Sequence, residues 1–256
     1  MADPDMLPQD LPAEVRQTLR AWVAEAVKLF GPGLEAILLY GSAARGEFLP
    51  GRSNLNLLVV LGKRDLGLLG DYARVHKQWS REGIVVPLFF AQPELERLSR
   101  LFPLEWQEIK DAHRLLAGRD PLPGLEVDGR HLAVQCEQEI GGNLLRLRQR
   151  FVEGGGTQEA MLLLLPLSLT ALLPCLRGLL RSLSERVAPP RSTDAMLELL
   201  PTALGVDPAV FQEVLKLKRG IISPGPVEVP RLFDRYLAAL ESLLERVARL
   251  KTGGKL

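Results

Sequence analysis

Hydrophobic and polar residues follow two different spacings along the first half of the chain. Apolar residues three or four positions apart indicate amphipathic helices, and short unbroken apolar runs indicate buried strands. Pro87 favours an edge position or a bulge for its strand, because proline cannot donate a ladder hydrogen bond. Residues 104–109 fit either a weak fourth strand or a helix. The pattern as a whole predicts helices over 11–30 and 65–82 and strands over 34–40, 55–61 and 84–90.

The pattern changes near residues 120–124, beyond which only helical spacing is found. We therefore expect an α/β fold in two domains. Residues 1–125 would form a small sheet covered by helices, and residues 126–256 would form an all-α helical bundle. The helices predicted in the bundle are 131–152, 158–187, a short one after 192–194, one that Asp207 caps and Gly220 ends, and a last one from Pro230.

Composition narrows the range of partners. The chain has 32 basic and 31 acidic residues, so its net charge of +1 gives no reason to expect a nucleic acid. The uncharged run Met161–Leu176 is shorter than the roughly 20 residues that a membrane span needs. It also contains two prolines, and we interpret it as a core helix rather than a membrane segment. The N-terminal residues MADPDMLPQD lack the pattern of a secretory signal, and we expect a cytoplasmic protein.

The segment Tyr40–Leu61 carries the most informative pattern. Gly41 and Ser42 directly follow the first predicted strand and lead into a short predicted helix. Small residues at such a place let a ligand approach the backbone, and helix amides suit an anion such as a triphosphate. Asn54 and Asn56 stand two positions apart at the start of the next strand, so both side chains should point to the same face.

This segment resembles the signature of the nucleotidyltransferase superfamily, which includes DNA polymerase β and the minimal bacterial nucleotidyltransferases. The signature is Gly-Ser, often followed by Ala-Arg-Gly, and then Ser-Asp-x-Asp-Leu. This chain has Gly-Ser at 41–42, Ala-Arg-Gly at 44–46 and Ser-Asn-Leu-Asn-Leu at 53–57. The resemblance implies a nucleotidyltransferase-type mixed sheet followed by a helical bundle. It also implies that Gly41, Ser42 and Arg45 bind a nucleotide, although a solvated position is the alternative for Arg45.

Asn54 and Asn56 occupy the positions at which the resemblance implies two metal-binding aspartates. In active members, those carboxylates hold two divalent cations that bind the triphosphate and activate the attacking hydroxyl. Magnesium prefers anionic oxygens, and asparagine offers only a neutral carbonyl. We therefore expect no metal cofactor, and Mg²⁺ only if aspartate stood at both positions. A third family carboxylate usually lies on a later strand; Glu105 is a candidate for it, with a surface or capping role as the alternative.

Three functions fit this sequence. The first is a pseudoenzyme, a catalytically degenerate nucleotidyltransferase-fold protein that binds a nucleoside triphosphate, or a protein partner through the helical bundle, without metal-dependent transfer. The second is an active metal-dependent nucleotidyltransferase whose catalytic aspartates were replaced by asparagine. The third is a structural or interaction protein with a closed pocket, in which neighbouring backbone groups satisfy both amides. We favour the first, because both aspartate positions are changed.

Overall fold

A four-stranded sheet lies at the centre of the first half of the chain. The computed structural model describes residues 7–183 and 189–256. The strands are spatially ordered β3-β2-β1-β4. β1 runs antiparallel to both of its neighbours and β3 runs parallel to β2, so the sheet is mixed. Their bounds are β1 (Leu34–Tyr40), β2 (Asn56–Leu61), β3 (Leu88–Ala91) and β4 (His113–Gly118).

Helices dominate the remaining chain, and the predicted order of an α/β half followed by a helical half is confirmed. Residues 184–187 of the helix predicted over 158–187 lie outside the described residues. The first half contains α1 (Ala13–Phe30), α2 (Ser42–Arg45), α3 (Leu66–Arg81), α4 (Leu95–Leu101) and α5 (Pro103–Asp111). The second half contains α6 (Gly129–Glu153), α7 (Gln158–Leu183), α8 (Thr193–Glu198), α9 (Leu200–Leu204), α10 (Ala209–Arg219) and α11 (Glu228–Thr252).

The chain divides into two compact units. The first unit ends at Phe102 and resumes as Trp106–Glu126, and the second comprises Pro103–Glu105 and the chain from Val127 onward. Each unit has its own apolar core, one built around the sheet and the other among the helices of the second half. The sheet and the segments at its ends are therefore described within the first unit.

One face of the sheet is buried beneath α1 and α3. Alternate residues of β1 and β2, such as Ile37 and Val59, point to this face and are directly paired across the two strands. They pack in one cluster with Trp22 of α1 and Tyr72 of α3. Removal of these apolar side chains from water is the main term that stabilises the packing of α1 and α3 on the sheet.

The opposite face of the sheet is covered in part by α5. Phe90 of β3 is paired with Val60 of β2, so it shares a face with the other even-numbered residues of β2. Trp106 of α5 packs on Phe90 with 5.1 Å between ring centroids, and Trp106 is fully buried. Asn56 begins β2 on this second face, because side chains alternate along a strand.

Residues 104–109 form part of helix α5, so the strand alternative for this segment is wrong. Pro103 lies in the first turn of α5, where its missing N–H costs no helical hydrogen bond. The fourth strand, β4, instead begins at His113 and is not predicted by the sequence pattern. Only Ala112 separates it from α5, so no glycine or proline marks its beginning.

The third predicted strand is shorter than expected. It covers Leu88–Ala91 instead of residues 84–90, and Ile84 forms only an isolated bridge to Leu55. Pro87 immediately precedes β3 and provides no N–H for the ladder, which explains why the strand begins after it. β3 lies at the edge of the sheet, which is one of the two arrangements that Pro87 predicts.

The long apolar helix α7 packs inside the second unit. Its length and composition would suffice to cross a membrane, but half of its most apolar 18-residue stretch is buried within the protein. Leu172 and Leu176 belong to the same core as Ile140 of α6 and Tyr236 of α11. The core-helix interpretation of this uncharged run therefore accounts for its composition.

A buried polar chain also joins α6, α7 and α11. The Ser168 hydroxyl donates to Asn143 Oδ1 at 2.9 Å, and Asn143 Nδ2 donates to the Ser168 carbonyl oxygen at 2.9 Å. The Ser168 hydroxyl has one hydrogen and uses it on Asn143. The Tyr236 hydroxyl, 3.1 Å from Ser168 Oγ, is therefore the donor in that contact.

Candidate functional site

The signature segment lies at one end of the sheet, where β1 ends and β2 begins. Tyr40, the last residue of β1, is paired with Asn56 on one side and with His113 of β4 on the other. Residues directly opposite each other on antiparallel strands point to the same face. Asn56, Tyr40 and His113 therefore form a polar row across the end of the sheet.

Gly41 allows the chain to turn closely past Asn56. Its φ of 77° lies in the left-handed region, which a residue with a Cβ rarely adopts. A Cβ added at Gly41 would lie 2.9 Å from Nδ2 of Asn56, well inside van der Waals contact. The structure thus brings two of the predicted site residues together, with the Asn56 amide directly against the Gly41 backbone.

Ser42 begins α2, a single helical turn that Gly46 ends in the left-handed conformation. The amides of Arg45 and Glu47 donate to the carbonyl oxygens of Gly41 and Ser42 at 3.0 and 2.9 Å. Ser42 is partly exposed, whereas the next three residues of the turn are buried. This arrangement leaves Ser42 as the residue of α2 that a ligand can reach.

The two asparagines differ in exposure. Asn54 is exposed, Leu55 is fully buried and Asn56 is partly buried, which is the alternation that an extended segment produces. The preceding turn is fixed by Ser53, whose amide donates to the Leu49 carbonyl at 2.8 Å and whose hydroxyl accepts from the Leu49 amide at 3.0 Å. Asn54 and Asn56 thus directly follow a turn that two hydrogen bonds hold in place.

Arg45 does not have the solvated position that was its alternative. Its side chain is only 2% exposed, and its Nη2 donates to Oε2 of Glu108 at 2.8 Å. Glu108 lies in α5 with a side chain that is 15% exposed. Glu108 carries no signal in the sequence that links it to Arg45, since 63 positions separate the two residues. Recognition of Pro103 as a helix start would have placed Glu108 on a helix.

Glu105 is a surface residue of a helix and not a strand carboxylate. It lies in the first turn of α5, is exposed, and accepts a hydrogen bond from Gln135 Nε2 at 3.1 Å. His113, to which the sequence pattern assigns no role, lies in the polar row. Its Nε2 is 3.1 Å from Asp120 Oδ2 and its Nδ1 is 3.0 Å from the Ile109 carbonyl oxygen. These contacts tie β4 to both of its flanking segments.

The residues at this end of the sheet do not fit a pair of magnesium ions. Asn54 and Asn56 are neutral, and the neighbouring strand β3, Leu-Phe-Phe-Ala, has no carboxylate. Val86, which precedes β3, is apolar and 62% exposed. Within residues 7–183 and 189–256, no three His, Cys, Asp or Glu side chains are grouped as a metal site would require.

Comparisons with known proteins agree with this description of the fold. No family model matches the chain. The solved structure of spectinomycin adenyltransferase AAD(9) from Enterococcus faecialis, with ATP and spectinomycin, has a TM-score of 0.56 and 11% sequence identity to this chain. The match covers 91% of this chain and 98% of that one. At such low identity, the likeness shows the fold alone.

A second similarity is found in sequence. A CCA-adding enzyme from Pyrobaculum islandicum is 28% identical over 79 residues, which is 31% of this chain. The match spans only 19% of that enzyme, so it concerns a part of it and not its whole activity. The chain therefore has the nucleotidyltransferase fold, with asparagine at both positions where the resemblance places metal-binding aspartates.

Proposed function

We propose that this protein is a catalytically inactive member of the nucleotidyltransferase fold that binds a nucleoside triphosphate without a divalent metal ion. The observation that carries the proposal is the Asn56 amide, whose Nδ2 lies against the backbone of Gly41 next to Ser42. The structurally similar adenyltransferase was solved with ATP, which makes a nucleoside triphosphate the ligand to test. The cytoplasm, where such nucleotides are abundant, is the expected location.

Loss of transfer follows from the charge of the site. Phosphoryl transfer of this kind depends on positioning and on electrostatic stabilisation, both of which the metal ions provide. Two aspartates contribute two negative charges that hold those ions, and two asparagines contribute none. Under this proposal, the protein keeps the shape of the site but does not stabilise a leaving pyrophosphate.

Nucleotide binding without metal has a direct physical basis. A carboxylate repels a triphosphate unless a cation lies between them, and each such contact costs about 1 kcal/mol even in water at 4 Å. An asparagine side chain instead carries two N–H donors that can bind phosphate oxygens. The Asn54 and Asn56 amides would then replace the metal ions as the groups that contact the phosphates.

The effect of magnesium on affinity tests this proposal. Magnesium bound to ATP lowers the charge of the phosphates and occupies the oxygens that the amides need. We therefore expect magnesium to weaken ATP binding to this chain by roughly tenfold, which is about 1.4 kcal/mol. In the Asn54→Asp/Asn56→Asp variant, the sign should reverse and magnesium should strengthen binding. Calorimetric titrations of ATP, GTP, CTP and UTP, in magnesium and in EDTA, measure both effects.

The matched control is Gln17→Glu/Gln78→Glu, which adds the same two charges at exposed positions of α1 and α3. Those helices cover the opposite face of the sheet, so the control should bind nucleotide like the original chain. Absence of nucleotide binding to both the chain and its aspartate variant would refute the ligand. Metal-dependent incorporation of labelled nucleotide by the unaltered chain would refute catalytic inactivity.

A further inference from the structure

Helix α2 is too short to hold its own position. It has four residues, and the first turn of a helix is unfavourable without tertiary support, because several dihedral angles are fixed for a single hydrogen bond. Its two flanking glycines, Gly41 and Gly46, both have positive φ and add backbone freedom in the unfolded chain. Contacts made by the side chains of α2 must therefore fix the place of Ser42.

The contact between Arg45 and Glu108 meets this need. Arg45 ends α2, and its guanidinium reaches α5 through a hydrogen bond of 2.8 Å between oppositely charged groups. Ala43 and Ala44 are buried but are too small to define the orientation of the turn alone. With a side chain that is 2% exposed, Arg45 has little surface to offer a soluble ligand. The buried ion pair is thus a connection between two elements of the first unit.

We propose that Arg45 is a positioning residue, which acts through Glu108 to hold Gly41 and Ser42 against Asn56 and does not itself contact the nucleotide. This inference rests on the proposed nucleotide binding for its effect on affinity. Its effect on the order of α2 is independent of any ligand. The two consequences can therefore be measured separately.

Three variants distinguish a positioning role from direct phosphate binding. Arg45→Met and Glu108→Gln each break the pair, and Arg45→Met/Glu108→Leu replaces it with apolar side chains of similar size. Replacement of a whole buried ion pair by apolar residues is often neutral or stabilising, so the double variant should fold. If Arg45 bound phosphate, Glu108→Gln would release its charge and strengthen ATP binding, and the double variant would lose binding.

The positioning role predicts the reverse order. Glu108→Gln and Arg45→Met should each weaken ATP binding about tenfold, whereas the double apolar variant should recover most of the loss, as expected for strongly coupled neighbours. Calorimetry in EDTA measures these affinities. Arg74→Gln is the control, because it breaks an exposed ion pair with Asp71 and should leave affinity unchanged.

Hydrogen exchange of the protein without ligand provides the second measurement. The amides of Arg45, Gly46 and Glu47 donate to Gly41 and Ser42 and report on opening of α2. Their exchange should be at least about tenfold faster in each single variant than in the double apolar variant. Equal exchange in all variants would overturn the positioning role, even if no nucleotide binds. Failure of every folded variant and of the original chain to bind ATP would instead refute the proposed function alone.

Discussion

Ser168 is the centre of the buried polar chain in the second unit. It accepts from the Tyr236 hydroxyl, donates to the Asn143 side chain, and its backbone oxygen accepts from the same asparagine. All three residues are buried. Because an unsatisfied buried group loses its hydration without replacement, the residue that serves two partners should matter most.

Ser168→Ala is therefore expected to destabilise the protein more than Tyr236→Phe. The alanine leaves the Tyr236 hydroxyl without an acceptor and Asn143 Oδ1 without a donor, at a cost of roughly 2–4 kcal/mol. The phenylalanine removes one donor and leaves the Ser168–Asn143 bond intact, at a cost of about 1 kcal/mol. Urea unfolding measures both. The exposed Thr252→Val is the control, expected within about 0.5 kcal/mol of the original chain, and equal losses for the two core variants would contradict this account.

The sequence was sufficient to predict the local placement of the candidate site residues that are close together along the chain. One short signature contains Gly41, Ser42, Asn54 and Asn56. The apolar residues that flank this signature predict β1 and β2, which bring its two ends together. The burial and the ion pair of Arg45 could not be predicted from the sequence, because the packing of α5 brings Glu108 to it. Burial of a charge depends on tertiary structure, which local patterns do not contain.

At the scale of elements, α8 and α10 are joined by a pair of hydrogen bonds between two charged side chains. Arg219 donates from Nη1 and Nη2 to both carboxylate oxygens of Asp194, at 2.7 and 2.6 Å. The hydrogen bonds from Arg219 lower the pKa of Asp194, and burial opposes that shift. A lowered pKa in the folded state means that folding favours the ionised carboxylate.

The stability that Asp194 contributes should accordingly be lost in acid. It is present above the unfolded pKa of about 3.9 and disappears as the pH falls through the lower folded pKa. Asp194→Asn should thus lower stability at pH 7, by no more than about 1 kcal/mol because the carboxylate is half exposed. The difference between the two proteins should vanish near pH 2, as measured by urea unfolding at each pH. A difference that stays constant from pH 7 to pH 2 would contradict the shift.

Elements with a distinct apolar pattern of their own were predicted more successfully than elements whose pattern merges with that of a neighbour. α1 and α3 follow from their helical periodicity, because each buries one face, and β1 and β2 follow from unbroken apolar runs, because both of their faces are buried. β4 follows α5 after a single residue, so its apolar positions merge with those of the helix. What makes it a strand is the exposed edge of β1, and that edge is a property of the folded sheet.

At the scale of the whole molecule, two tyrosines link stability to alkaline pH. Burial is the main cause of a raised pKa for Tyr236 and also for Tyr72, and the hydrogen bond that the Tyr72 hydroxyl accepts from Trp22 opposes the shift of Tyr72. A negative charge on Glu25 adds to the shift of Tyr72. The folded protein therefore holds both phenolic protons more tightly than the unfolded chain does.

Stability should fall as the pH rises above the unfolded tyrosine pKa of about 10. Below that pH, the stability that Tyr72 and Tyr236 contribute is fully present. Above it, the unfolded state is progressively stabilised relative to the folded state, because its tyrosines release their protons first. The gap in melting temperature between the original chain and Tyr236→Phe should consequently narrow between pH 8 and pH 11. Differential scanning calorimetry follows this gap, and a constant or widening gap would show that Tyr236 does not release its proton on unfolding.

The position of β3 has a consequence for behaviour in concentrated solution. An edge strand offers unpaired backbone groups to which a strand from another molecule can add, and such addition leads to aggregation. β3 has only four residues, and the proline before it has no N–H to donate. A strand approaching this edge would find few hydrogen-bonding groups in register. The short strand next to β2 thus limits self-association of the protein along this side of its sheet.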